Sequence, residues 1–396
     1  MKVPFGTMSI TQEARGLINK ILAGGNVSQG KYVRKFEEEF AKLIGTKEAV
    51  AVSSGTDADT LALAVLYDFG AKRGDEVITT AISFVATGNA ILHAGFRPVF
   101  VDVELETLNI NPDKIEEAIS DKTRAIMPVH LMGKPANMDK IMAIAKKHKL
   151  FVVEDAAEAH GTMYRGKNVG AIGDMAAFSL YVAHMISTIE GGIVTTNNPG
   201  YAEVLRSLRS HGRSCNCKTC IMNTGAITCS KRFKGGKDRR FIFERVGYSS
   251  KMNELEAAIG VANIKMWPKY LRQRRENLLY LLKHFKKFQP YLFTISEEKG
   301  EFIGPHAFPV IIGSKAKFSR DEFVGYLSKN GIDSRSMFLS MPTQCPGFGF
   351  LGYKLGQFPV AEYIGDNGLH IGLHQDLRIK HMNFFISVTE RFLKKN

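Results

Sequence analysis

The sequence predicts an α/β protein: a mainly parallel sheet of about seven strands, followed by a smaller C-terminal α+β domain. Two observations carry the first part. Short apolar runs recur between residues 48 and 196, with helix-period segments between them. Several of these runs are apolar almost throughout, as strands covered on both faces must be. A third observation carries the second part. From about residue 290 the strand and helix pieces shorten and Gly and Pro cluster, as in CPGFGF at 345–350. Alternation of strands and helices gives a parallel sheet because parallel neighbours need a long crossover, usually a helix.

Taken in order, strands are expected at 48–54, 76–80, 97–103, 124–130, 150–155, 175–180 and 191–196. Helices are expected between them at 57–69, 112–120 and 137–149, and after them at 200–212. Residues 213–250 read as irregular. A further helix follows over 253–285, with an interruption at Pro268, where a helical N–H is missing. The domains are therefore set at 1–265, including a Cys-rich insertion at 213–240, and 266–396. No 20–50-residue repeat is visible.

The chain has 396 residues, 44% of them hydrophobic and 23% charged, which excludes a disordered or fibrous protein. No apolar run approaches the roughly 20 residues of a membrane span, and MKVPFGTMSI lacks an apolar signal core. The expectation is a cytoplasmic protein with no membrane partner. The net charge of +14 suits nucleic acid, a membrane surface or a phosphorylated small substrate. No nucleic-acid-binding motif accompanies it. Of five cysteines, four fall in one window, Cys215, Cys217, Cys220 and Cys229, while Cys345 stands apart and reads as packing. That crowding suits a soft-metal site in a reducing compartment better than a disulfide scaffold.

Three segments suggest chemistry. Ser53-Ser54-Gly55-Thr56 joins a strand to a helix, where free amides and hydroxyls suit a phosphate, although an ordinary capped turn reads the same way. Glu154-Asp155 ends a buried strand at the edge where such sheets place ligands, and a carboxylate there suits the protonated nitrogen of a pyridine ring. Phe178-Ser179-Leu180-Tyr181-Val182-Ala183-His184, then Glu190-Gly191-Gly192, again suits a phosphate and a close backbone approach.

In order along the chain, GNVSQGKYVRKFEEEFA (25–41), SSGTDADTLAL (53–63), ISFVATGNAIL (82–92), RPVFVDV (97–103), MPVHLMGKPANM (127–138), VEDAAEAHG (153–161), AAFSLYVAH (176–184), EGGIVTT (190–196) and FPVAEYIGDNGLHIGLHQDL (358–377) closely resemble the DegT/StrS sugar aminotransferases. The resemblance implies a fold-type I aspartate aminotransferase architecture, the cofactor pyridoxal phosphate (PLP) or its amine form PMP, and a nucleotide-linked keto sugar as substrate. It places Asp155 on the pyridine nitrogen, Phe84 against the ring, and Gly55, Thr56 and Ser179 on the phosphate. Glu158 falls where the family often has Gln, near the ring hydroxyl. GYSSKMNE (247–254) is similar to a segment that reaches the neighbouring subunit's cofactor, with Ser249 for the usual Asn and Lys251 for the usual Arg. A homodimer with shared sites is implied. His130 falls in a motif near the site, without an assigned step.

The departure is His184, where the family has the lysine that holds PLP covalently. No lysine occurs between Lys167 and Lys218. Imidazole cannot replace a primary amine in that bond, but it can move a proton near neutral pH. This substitution resembles the sugar 3-dehydratases within the family, both the cluster-free GDP-linked type and the iron–sulfur CDP-linked type. There PMP condenses with a C4 ketone, the imidazole removes a proton from the cofactor, and the C3 hydroxyl leaves. The stretch HGRSCNCKTCIMNTGAITCSKRF (211–233) is similar to the iron–sulfur type, whose cluster relays electrons from a reductase. One ligand there comes from just after the ring-binding aspartate, where this chain has Ala156 and Ala157; Cys220 supplies an extra thiol instead. Four cysteines suit an iron–sulfur cluster, with zinc or no metal as alternatives. The basic stretch 231–240 suits a substrate pyrophosphate, an acidic reductase or plain solvent. Two other functions stay open: an aminotransferase with another group in place of lysine, and a catalytically silent nucleotide-sugar-binding protein.

Overall fold

The computed structural model describes all residues except Met8, Ser9, Asn216, Thr219, residues 222–227 and Asn396. Two amphipathic helices lead in, α1 (Gln12–Gly24) and α2 (Lys31–Ile44). The seven expected strands follow: β1 (Glu48–Val52), β2 (Glu76–Thr80), β3 (Arg97–Val101), β4 (Thr123–Met127), β5 (Phe151–Asp155), β6 (Met175–Ser179) and β7 (Gly192–Thr196). They form one sheet in the order β1-β7-β6-β5-β4-β2-β3. Only β7 runs against the rest; it pairs antiparallel with both β1 and β6. Helices α3 (Gly55–Val65), α4 (Ala86–Ala94), α5 (Met138–His148) and α6 (Pro199–Leu208) connect or flank the strands. Every residue of β6 and β7 is buried, which explains why these strands show no alternation.

Two expectations change. The stretch 112–120 is not a helix but two short 3₁₀ turns, Pro112–Lys114 and Glu116–Ala118. Ile119 is already extended on its way into β4, so too few residues remain to repay helix nucleation. Conversely, α7 (Glu254–Phe285) runs through Pro268 without a break. It starts from an Asn253–Glu256 capping box and packs on α1, α2 and the C-terminal helix Ile379–Leu393. Those contacts outweigh one lost hydrogen bond.

The expected domain boundary at 265/266 falls inside α7, which carries the chain from the large sheet toward a second, four-stranded antiparallel one. Its strands are β8 (Leu292–Phe293), β9 (Ala307–Ile312), β10 (Ser334–Ser336) and β11 (Gly368–Gly372), in the order β8-β9-β11-β10. Phe285, Phe308 and Phe385 centre its core, where Cys345 packs at the margin. A two-residue strand, Glu301–Phe302, pairs with Met163–Tyr164 of the large unit, so the segment before β9 lies against the loop after β5.

Candidate active site

The site forms where β1, β5 and β6 end. Side chains alternate along a strand, so Glu154 and Asp155 face opposite sides of the sheet. Glu154 is consumed by structure: it accepts the amides of Gly170, Ile172 and Gly173 and meets His130 Nε2 at 3.0 Å. His130 accepts the Ala136 amide at Nδ1, so both its ring nitrogens are occupied. Its part is to brace the end of β5.

Asp155 points the other way and is 4% exposed. The Thr87 hydroxyl donates to its Oδ2 at 2.7 Å and the Ala157 amide to its Oδ1 at 3.1 Å. Burial raises its pKa, and these two donors pull against that rise. Thr87 is in turn fixed by Ser83 Oγ at 2.8 Å and by its own amide, which donates to the Phe84 carbonyl. The Phe84 ring projects from this turn, 59% exposed, with Phe338 edge-on at 5.7 Å. The turn that braces the carboxylate thus also carries an exposed aromatic ring.

The phosphate candidates also meet. Ser54 caps α3 by accepting the Asp57 amide. A Cβ added to Gly55 would lie 2.7 Å from Ser179 Cβ and 2.9 Å from its Oγ, so only glycine lets α3 approach β6 this closely. Gly192 is pinned likewise: its added Cβ would stand 2.0 Å from the Ser54 carbonyl oxygen. Thr56 follows in the first turn of α3, where amides point outward.

His184 lies beyond Ser179 in the loop to β7. Its ring packs against His306 at 5.0 Å, His160 at 6.0 Å and Tyr181 at 6.5 Å. Its Nδ1 is buried without a partner. Burial first, and the charge of Arg274 second, push its pKa down to about 3, so the imidazole is a free base at neutral pH. His160 and His306 are held well below the usual range, chiefly by burial. Glu158 accepts the Met132 amide at 2.8 Å and lies 3.7 Å from His306 Nε2. Burial, with a contribution from Asp155, raises its carboxyl to about 7.

Sequence reasoning missed Thr87, His160, His306 and Arg274. Thr87 and His160 sit inside quoted motifs, at ISFVATG and VEDAAEAHG, where an i,i+4 Ser–Thr pair and a buried histidine gave the available signals. His306 and Arg274 approach from the second unit and α7, more than 80 residues away in sequence; nothing local announces them. Ser249 is exposed, its backbone bridged to Ser210.

The four cysteines lie elsewhere. They line one cavity of about 570 Å³ with Lys251, whose wall includes neither Asp155, Ser179 nor His184. All are free thiols. Among the described residues no three His, Cys, Asp or Glu side chains are assembled closely enough to hold a metal ion. Four free sulfurs opening onto a single cavity nonetheless match the donor set of a cluster or a zinc site.

The pyridine-type cofactor fits more fully: a braced carboxylate, an exposed aromatic face, and a glycine turn at the N-terminus of α3 held against Ser179. No helix among the described residues is long and apolar enough to cross a membrane.

Comparisons with known proteins bear on the family and the fold. The model of the DegT/DnrJ/EryC1/StrS aminotransferase family matches residues 8–387. The chain is 34% identical to a dTDP-4-dehydro-2,6-dideoxy-D-glucose 3-dehydratase of Saccharopolyspora spinosa, covering 95% of this chain and 82% of that one. It is 32% identical to a GDP-perosamine synthase of Caulobacter vibrioides, over 92% and 91% of the two chains. Among solved structures, a histidine-to-asparagine variant of GDP-4-keto-6-deoxymannose-3-dehydratase with bound GDP-perosamine superposes with a TM-score of 0.86. That match is at 30% identity and covers 98% of this chain and 100% of that one. The aminotransferase-like α/β fold is thereby established.

Proposed function

This chain belongs to the DegT/DnrJ/EryC1/StrS aminotransferase family, and on that premise we propose that it removes the C3 hydroxyl of a nucleotide-diphospho-4-keto-6-deoxysugar, with PMP as cofactor and His184 as base. One observation carries the reading. Where transamination needs a primary amine, the loop after β6 presents a free-base imidazole with an unpartnered Nδ1, and no lysine lies between Lys167 and Lys218. The names of two relatives, 3-dehydratases of dTDP- and GDP-linked sugars, support it.

The cofactor, when bound, supplies an amine for the C4 ketone and a conjugated ring that takes up an electron pair. The chain's own residues do the rest. Asp155, aimed by Thr87 and Ala157, holds a proton on the ring nitrogen. Gly55, Thr56 and Ser179 take the phosphate at the N-terminus of α3. Phe84 covers one ring face. His184 accepts a proton on its imidazole and passes it to the C3 oxygen, which leaves as water. Glu158, poised near neutrality, shares a proton beside the ring hydroxyl. We assign Ser249 and Lys251 to the neighbouring subunit's site in a homodimer. Cys215, Cys217, Cys220 and Cys229 would hold an iron–sulfur cluster that passes single electrons from a reductase, with zinc as the competing occupant.

A second reading, an aminotransferase with another group in place of lysine, is favoured by the similarity to GDP-perosamine synthase. One experiment separates them. Oxygen-free protein is given PMP and GDP-, CDP- or dTDP-linked 4-keto-6-deoxysugars, with and without glutamate and a reductant, and products are read by mass spectrometry. A sugar nucleotide lighter by one oxygen atom, the 3-deoxy-4-ketone whose two electrons come from PMP (left as PLP) or from the reductant, supports the dehydratase. A 4-amino sugar formed over many turnovers from glutamate refutes it. Iron, acid-labile sulfide and zinc per chain, measured on the same sample, decide the metal.

A further inference from the structure

The cysteine cavity is strongly cationic: its wall carries ten Lys or Arg residues and one acidic residue, Glu37. Most of these cations that are fixed are fixed by carboxylates. Arg209 binds Glu37, Arg206 binds Glu48, Arg34 binds Glu38, and Asp238 holds both Arg232 and Arg240. Arg213 and Arg239 differ. Neither forms an ion pair among the described residues, and the Nε of each is buried without a hydrogen-bond partner; the Nε of Arg206 is unpartnered too, but its guanidinium is already paired to Glu48.

The backbone sets both beside the first cysteine. Ser214 donates its amide to the Ile242 carbonyl, and Arg213 bridges to Phe243, which zips residues 213–215 onto 239–243. Arg239 donates from its terminal nitrogen to the Ser214 carbonyl at 2.8 Å, and its charge reaches the Cys215 sulfur. The Arg239 guanidinium is thus anchored next to Cys215, Arg213 stands two residues before that cysteine in the same wall, and each has a sealed Nε–H. A buried donor left unpaired costs stability, so such a site favours an acceptor. The acceptors whose own ligands line this wall are sulfurs.

Resting on the iron–sulfur reading above, we propose that Arg213 and Arg239 donate their Nε–H groups to the sulfurs of a cluster held by Cys215, Cys217, Cys220 and Cys229, and so favour its reduced form. A cluster with four thiolate ligands is an anion that gains one further negative charge on reduction. Hydrogen bonds to sulfur and nearby positive charge both favour the more negative state, which raises the potential. These arginines are positioning residues: they tune electron acceptance without touching the sugar.

The test is a dye-mediated redox titration of cluster-loaded protein, followed by electron paramagnetic resonance, with iron and sulfide counted in each sample. In Arg239→Gln and Arg213→Gln the cluster content is expected to stay, while the reduction equilibrium falls about tenfold per variant, a shift of about 59 mV for one electron. Arg34→Gln, at the same wall but paired to Glu38, is expected to leave the potential unmoved. If either glutamine variant fails to load, the lysine variants keep the charge and lose the Nε–H. They are expected to shift the same way by less. Normal loading with unmoved potentials in both arginine positions would overturn the proposal. So would an equal shift in Arg34→Gln, which would reduce the effect to net charge. Wild-type protein without iron and sulfide would instead refute the cluster reading on which it rests. A cavity that binds pyrophosphate in competition with cluster assembly would overturn it as well, by giving the two N–H groups a different acceptor.

Discussion

Thr87→Val isolates the brace on Asp155. Valine keeps the shape of threonine and removes only the hydroxyl that donates to Asp155 Oδ2 at 2.7 Å. A hydrogen bond to a charged group is worth about 1.5–3 kcal/mol, and its loss pushes the Asp155 pKa further up. The sign follows from the direction already present. Burial has raised this pKa, so the folded state favours the neutral carboxyl, and stability falls as pH rises through the folded value. Removing a donor that lowers the pKa deepens that fall. The apo-variant should therefore lose most of those about 1.5–3 kcal/mol at the alkaline end of the titration and progressively less as the pH is lowered. Urea unfolding at several pH values measures it. A loss of the same size at every pH would show that Thr87 merely packs, and the assignment of Asp155 as a tensioned carboxylate would fail.

Three further outcomes follow from the geometry. Gly55→Ala forces a methyl to 2.7 Å from Ser179 Cβ; overpacking of about 1–3 kcal/mol should appear as a lower melting temperature and, by equilibrium dialysis, PLP bound about tenfold more weakly. His184→Asn should keep the PLP affinity of the parent and lose about 10²–10⁴-fold in product formation, the range for a removed acid–base group. Glu158→Gln mimics the protonated form of a carboxyl raised to about 7, so it should stabilise the protein at pH 8, do little at pH 5, and erase any limb near pH 7 in the rate profile.

The large sheet was legible because its strands are short, apolar and bounded by turns. All seven appear, with their ends displaced by only a few residues, since burial on both faces leaves a pattern independent of tertiary detail. Residues 112–120 were misread because a helix-like period over nine residues says nothing about whether nucleation is repaid. Pro268 was misread for the opposite reason: a local defect in α7 is outweighed by packing that a sequence window does not contain. Site residues divide the same way. Asp155, Ser179 and the Gly55 turn sit at strand ends, where position implies role. His306 and Arg274 reach His184 only through the docking of the second unit, so their effect on the base is a property of the fold alone.

That effect carries a consequence for the base itself. An imidazole with a pKa of about 3 is free to accept a proton but holds it weakly. Its depression comes first from burial and then from Arg274, a cation itself pushed down to about 10 by burial. Both causes belong to the pocket itself, where Asp376 is the acidic neighbour acting on Arg274 and does not offset its burial. A phosphate ester at Gly55, Thr56 and Ser179 and a nucleotide diphosphate would add negative charge, and opposite charge favours the protonated imidazole. The base should therefore strengthen as the site fills, taking its proton only once substrate is in place. Histidine NMR, with the His184 signal identified by its loss in His184→Asn, tests this directly. Its pKa should rise toward neutrality when PLP and a nucleotide diphosphate are added. A value that stays near 3 in the filled site would leave His184 too weak to do this work, and the proton would have to pass to Glu158, whose carboxyl is already poised near 7.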